Sequence, residues 1–126
     1  NGEWSVLILV MEDEGQGLFY SLAPLAFTPA LIPAAAEFVV RANYGMQIGS
    51  FDLDVTDGTV QFRTSIDVEG DEAALTPTII KHLLYHNTIT MDRYLPGMRA
   101  IGEDGVTPAQ AIALVEGAAD DDEGDD

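Results

Sequence analysis

From Phe51 to Val68 apolar and polar positions alternate along the chain. Phe51, Leu53 and Val55 take turns with Asp52 and Asp54, and Val60, Phe62, Ile66 and Val68 hold one phase on the return. A period of two marks two half-buried strands, each with one face in a core. Asp57-Gly58 tolerates positive φ at both places, which predicts a two-residue type I′ turn. That turn sets Val55 against Val60, Leu53 against Phe62 and Phe51 against Thr64. Met46 and Ile48 are out of phase with Phe51. A one-residue bulge at Gly49-Ser50 is expected to return them to the core face, opposite Val68 and Ile66.

The flanking segments read as cover for that hairpin. Trp4 to Met11 is a continuous apolar run of strand length, followed by a polar turn with Gly15 and Gly17 and a second strand over residues 18–22. After Pro24 and Pro29 a helix is expected to start near Pro33, preceded by a turn of irregular helix. Ala35, Ala36, Phe38, Val39 and Ala42 form its apolar stripe, Glu37 and Arg41 pair on its outer face, and Gly45 is expected to close it in the left-handed conformation. Thr76-Pro77 opens a long helix. Ile80, Leu83, Leu84, Asn87, Met91, Tyr94, Leu95 and Met98 line one side of it. Pro96-Gly97 should kink or end that helix. A turn over residues 102–105 precedes a short helix opened by Thr107-Pro108, with Ala109, Ile112, Ala113 and Val115 apolar. The order β-β-α-β-β-α-α describes an α+β fold, an antiparallel sheet built from two β-hairpins with helices packed on one face.

Length and charge narrow the partners. The 126 residues suit one domain, residues 1–117, with an acidic tail over residues 118–126 that is expected to be disordered. The formal net charge is −17, and without the six acids of residues 120–126 the body still holds 16 acids against 5 bases. That balance argues against nucleic acid and anionic membranes, and it suits solubility or a basic or amphipathic partner. There is no cysteine, hence no disulfide framework and no thiolate chemistry, which fits a cytoplasmic protein. No apolar run reaches the length of a membrane span. The chain opens Asn-Gly-Glu-Trp, so a preceding element is expected to have been trimmed.

Candidate chemistry is sparse. His82 and His86, four apart, share one face of the long helix and have the spacing of a zinc, copper or nickel pair, but no local glutamate completes a His-Glu-x-x-His pattern. Two ordinary surface or interface histidines are the better reading. Residues 52–58 resemble the start of a calcium loop with the third aspartate one place late, and strand alternation explains Asp52 and Asp54 without a metal. No serine has nucleophile-elbow context and no glycine-rich loop precedes a helix. Catalytic residues, cofactors and metal ligands are therefore expected to be absent. Asn43, just before Tyr44-Gly45, is expected to cap the helix or bond the first residues of the hairpin.

Several stretches resemble the YbjN domain family of bacteria. They are residues 7–12 followed by Gly17-Leu18-Phe19, then Asn43-Tyr44-Gly45 leading into Ile48-Gly49-Ser50-Phe51-Asp52-Leu53-Asp54, then Asp57-Gly58 and Phe62-Arg63. Asp92-Arg93-Tyr94-Leu95-Pro96 and the Thr107-Pro108 helix continue the likeness to about Glu116. The resemblance implies a fold similar to type III secretion chaperones and a role as a sensory transduction regulator, with no catalytic residues to carry over. Domains of that family usually have a helix before the first strand. The expected function is a non-enzymatic protein-binding module, chaperone-like or regulatory, that recognises another protein or peptide segment. The alternative is a metal-dependent sensor or small enzyme using His82 and His86. Met91, Tyr94, Leu95 and Met98 are more apolar than one neighbouring element needs, so they are the expected partner-binding residues, and a homodimer that tightens with salt is expected through such a surface.

Overall fold

The computed structural model describes residues 5–11, 16–67 and 76–117. Four strands and three α-helices follow the order β1 (Ser5–Met11), β2 (Gln16–Ala26), α1 (Ile32–Asn43), β3 (Ser50–Leu53), β4 (Thr59–Asp67), α2 (Pro77–Arg99) and α3 (Pro108–Ile112). All strand pairs are antiparallel and the spatial order is β1-β2-β4-β3. The second strand of each hairpin is therefore central. The two hairpins join through β2 and β4, with Phe19 opposite Thr64 and Ser21 opposite Phe62.

One face of the sheet is buried. Phe19, Ser21, Phe51, Val60, Phe62 and Thr64 are closed off from solvent, whereas Asp52, Gln61 and Arg63 on alternate positions are partly exposed. The helices supply the other half of the core through Ala35, Phe38, Val39 and Ala42 of α1 and Met91, Tyr94, Leu95 and Met98 of α2. Ring edges interlock at the centre: Tyr94 meets Phe51 at 5.3 Å and Phe38 at 6.3 Å, and Phe51 meets Phe62 at 4.8 Å.

The second hairpin has a different register from the one its turn residues suggest. Leu53 faces Val60 and Phe51 faces Phe62, a shift of two residues. Val55 belongs to the connecting loop and is exposed rather than paired with Val60. The loop closes through Gly58 N–H donating to the Asp54 carbonyl at 2.7 Å, with Gly58 at φ 77°. Its position is set from outside the hairpin. Phe27 N–H donates to the Gly58 carbonyl at 2.8 Å, and a Cβ on Gly58 would collide with the Phe27 carbonyl oxygen. There is no bulge at Gly49-Ser50. Residues 46–49 are not strand, Ile48 is exposed, and the irregularity lies instead in β2 between Leu22 and Ala26, around Pro24. Gly49 is nonetheless constrained, with φ 80° and Arg63 and Phe62 atoms 2.7 Å from where its Cβ would stand.

The helix ends also depart from expectation. A short 3₁₀ turn, Pro29–Leu31, leads into α1, the irregular turn expected there. Gly45 is not left-handed; positive φ occurs at Gly49, Gly58 and Gly105 among the described residues. Helix α2 runs through Pro96 to Arg99 and continues as a π-helical turn, Ala100–Asp104, where a break and a turn were expected. Pro96 is exposed, and burial of Met91, Tyr94, Leu95 and Met98 holds the helix in place. Thr76 caps α2 by accepting from Ile79 N–H at 3.2 Å, and Thr107 and Gln110 form a reciprocal capping box on α3. Helix α3 buries Ala111 and the π-helical turn that follows it, Ala113–Gly117, buries Val115, whereas Ala109 and Ala113 face solvent. The acidic tail, the loop over residues 69–72 and Val68 lie outside the described residues.

Candidate functional site

The four residues expected to meet a partner are core residues. Met91 and Met98 are 0 % exposed, and Tyr94 and Leu95 are 4 % exposed. The apolar surplus of α2 is absorbed by several neighbours at once, because α1, β3 and α3 all close over its second half. Tyr94 spans the boundary of this core. Its hydroxyl donates to Glu116 Oε2 at 2.7 Å. Burial, then the hydrogen bond to Glu116 and that carboxylate's charge, push its pKa up to about 12.

Two asparagines hold the fold around that core. Asn43, the last residue of α1, accepts from Phe51 N–H at 2.7 Å and donates to the Phe51 carbonyl at 3.0 Å. Strand β3 is a sheet edge, so the amide of Asn43 occupies the hydrogen-bonding place a further strand would take. Asn87 of α2 is fully buried. Its Nδ2 donates to the Phe19 carbonyl at 3.0 Å, the Phe62 carbonyl at 3.2 Å and Thr64 Oγ1 at 3.1 Å, and its Oδ1 accepts from Ser21 Oγ. This network pins α2 across β2 and β4 and leaves no described buried side-chain polar atom unpaired. The Asn43 clamp follows the expectation of a bond into the hairpin. The Asn87 network was not anticipated; its one visible signal is an amide inside an otherwise apolar stripe.

Open surface lies on the outer side of α2 and the end of α1. Two adjoining depressions share Ile48 and His86. The first, about 470 Å³, is lined by Arg41, Tyr44, Met46, Arg93 and Glu116 among others. The second, about 730 Å³, is lined by Lys81, His82, Leu83 and Tyr85. Tyr44 is 89 % exposed, Tyr85 67 % and Ile48 52 %. The His86 Nε2 is 3.3 Å from the Ile48 carbonyl, so its Nε2–H tautomer donates there and ties residues 46–49 to α2. Arg93 sits over the Tyr94 ring at 5.3 Å, and Arg41 pairs with Glu37 at 2.7 Å.

His82 and His86 do border one depression, but no group of three or more His, Asp or Glu that could hold a metal occurs among the described residues. The aspartates of residues 52–58 are committed to local bonds. Asp54 accepts from Thr56 N–H, Asp57 from the Thr59 amide and hydroxyl, and Asp52 from Gln61 and Arg63. The Thr59 bonds hold the Asp57 carboxyl below its ordinary pKa, and Asp52 raises that of Arg63.

The architecture is α+β with an antiparallel sheet. Over residues 1–100 the chain matches the model of the YbjN family, described as "putative bacterial sensory transduction regulator", and it belongs to that family. No curated protein and no solved structure matches it. No described helix is long and apolar enough to cross a membrane.

Proposed function

We infer that this YbjN-family chain is a non-enzymatic regulatory module that recognises another polypeptide through the surface around Tyr44, Ile48 and Tyr85. The observation that carries this reading is their joint exposure along two connected depressions. Large apolar and aromatic side chains grouped on an open surface favour a protein partner, and tyrosine is among the residues most used at the centre of interfaces. The family's description as a regulator supports the same direction. Residues 1–117 acting as one cytoplasmic domain, and kinship with the type III secretion chaperone fold, belong to this proposal. A sheet with helices on one face suits both.

A photo-crosslinking side chain placed at Tyr85 and, as control, at Leu22 on the opposite face of the sheet tests it in the cell of origin. The expected result is the same polypeptide captured repeatedly at Tyr85 and not at Leu22. Capture of no polypeptide at Tyr85 would refute the reading. Capture of a second copy of the chain would identify the partner as a homodimer mate. Sedimentation equilibrium at two ionic strengths would then show tighter association at higher salt, as the acidic bodies are screened.

A further inference from the structure

We propose that the groove along α2 selects an acidic, extended segment of the partner polypeptide, with two carboxylates five or six residues apart. This rests on the polypeptide-binding reading above and adds the chemistry of the partner. The chain carries 22 acids and 5 Lys or Arg, yet three of those five, Arg41, Lys81 and Arg93, line the two joined depressions, together with both histidines. Of the described residues lining them, one is acidic, Glu116, and its carboxylate already accepts the Tyr94 hydroxyl. The contrast with the remaining large depression is direct: Asp52 and Asp54 line it, with no base among its described lining residues. Basic groups in a strongly acidic chain are thus gathered where the exposed aromatic side chains are.

The groove also sets a length. Lys81 and Arg93 are twelve residues apart on one helix, which at 1.5 Å per residue separates them by about 18 Å. An extended peptide advances roughly 3.3–3.6 Å per residue, so five or six residues span that distance. Between the two bases lie Ile48 and Tyr85, which suit apolar side chains in the middle of the segment. Arg41 is partly neutralised by Glu37, so Lys81 and Arg93 are the two anchors. A long polyanion is disfavoured because it would continue over the acidic body. A short segment is governed by the nearby bases, since the field of the distant acids is screened within about 8 Å at physiological salt.

The test is fluorescence anisotropy on the full chain with a labelled eight-residue peptide, apolar in the middle, carrying two aspartates five apart. Its counterpart has asparagine at both places. The acidic peptide is expected to bind at least tenfold more tightly than the amide peptide. Arg93→Gln combined with Lys81→Gln should remove that difference while the protein still unfolds in one cooperative transition. Both side chains are exposed, and the fold loses only the contact of Arg93 over the Tyr94 ring. Changes in the Tyr44 and Tyr85 ring resonances on titration should locate the peptide in the groove. Equal binding of the two peptides, or a preference that survives the double substitution, would overturn the proposal. So would a photo-captured partner whose contacting segment is basic, which would leave polypeptide binding itself intact. Binding that emerges only when the six acids of residues 120–126 are neutralised would place the chain's own terminus in the groove and overturn assignment to a partner.

Discussion

Replacing Asn87 by alanine should cost the protein a large share of its stability. Asn87 is fully buried and serves four partners: the carbonyls of Phe19 and Phe62 and the hydroxyls of Ser21 and Thr64. Ser21 and Thr64 are themselves 0 % exposed, so water cannot take the place of the lost amide. A buried polar group left without its partner costs about 1–3 kcal/mol. The two hydroxyls dominate, because each carbonyl has a second lone pair and can be served by the sheet. The expected loss is about 3–5 kcal/mol, against a total of about 5–15 kcal/mol for an ordinary domain. Urea unfolding followed by circular dichroism measures it, with an unchanged slope showing that the same surface is exposed. The triple variant Ser21→Ala, Thr64→Val, Asn87→Leu removes the side-chain donors and acceptors together and should cost less than Asn87→Ala alone. A single variant within about 1 kcal/mol of wild type, or a triple variant less stable than the single, would refute this account of the network.

Three further outcomes are expected. Asn43→Asp keeps the acceptor for Phe51 N–H but sets a carboxylate against the Phe51 carbonyl, and should cost about 1–3 kcal/mol at neutral pH. The loss should shrink in acid as the carboxyl regains a proton to donate, which urea unfolding at several pH values checks. Gly49→Val should destabilise by about 1–3 kcal/mol or more, because valine must take a positive φ and its Cβ meets the Arg63 backbone. A melting temperature within a degree of wild type would contradict that. Tyr94 titrates near 12 in the fold against 10.0 ordinarily, so it favours the folded state fully below pH 10 and that contribution is lost as pH rises towards 12. Alkaline unfolding in that window should be blunted in Tyr94→Phe, as read by circular dichroism.

What the sequence determined by itself was the face of the regular strands and helices that turns inward, though not for Ile48 and Val55, which the structure leaves exposed in loops. Alternation placed Phe51, Val60 and Phe62 on the covered face of the sheet, and the 3.6-residue stripe placed Ala35, Phe38, Val39 and Ala42 on the inner side of α1. Pattern reads registers only to within two residues, because a shift of two leaves every side chain on its face. The actual pairing of Leu53 with Val60 was decided by contact of the Gly58 loop with Phe27, more than thirty positions away along the chain. The same limit governed the site. Counting apolar residues showed that Met91, Tyr94, Leu95 and Met98 needed cover, but only the tertiary structure decided that α1, β3 and α3 provide it. The open surface then falls where residues 44–48 meet the outer side of α2. Tyr44, Ile48 and Tyr85 come together there because Asn43 and His86 hold the chain in place through bonds to backbone groups of Phe51 and Ile48. Patterns of polarity record what each residue prefers to touch; which partner satisfies the preference is set by the packing of distant segments, and no local period encodes it.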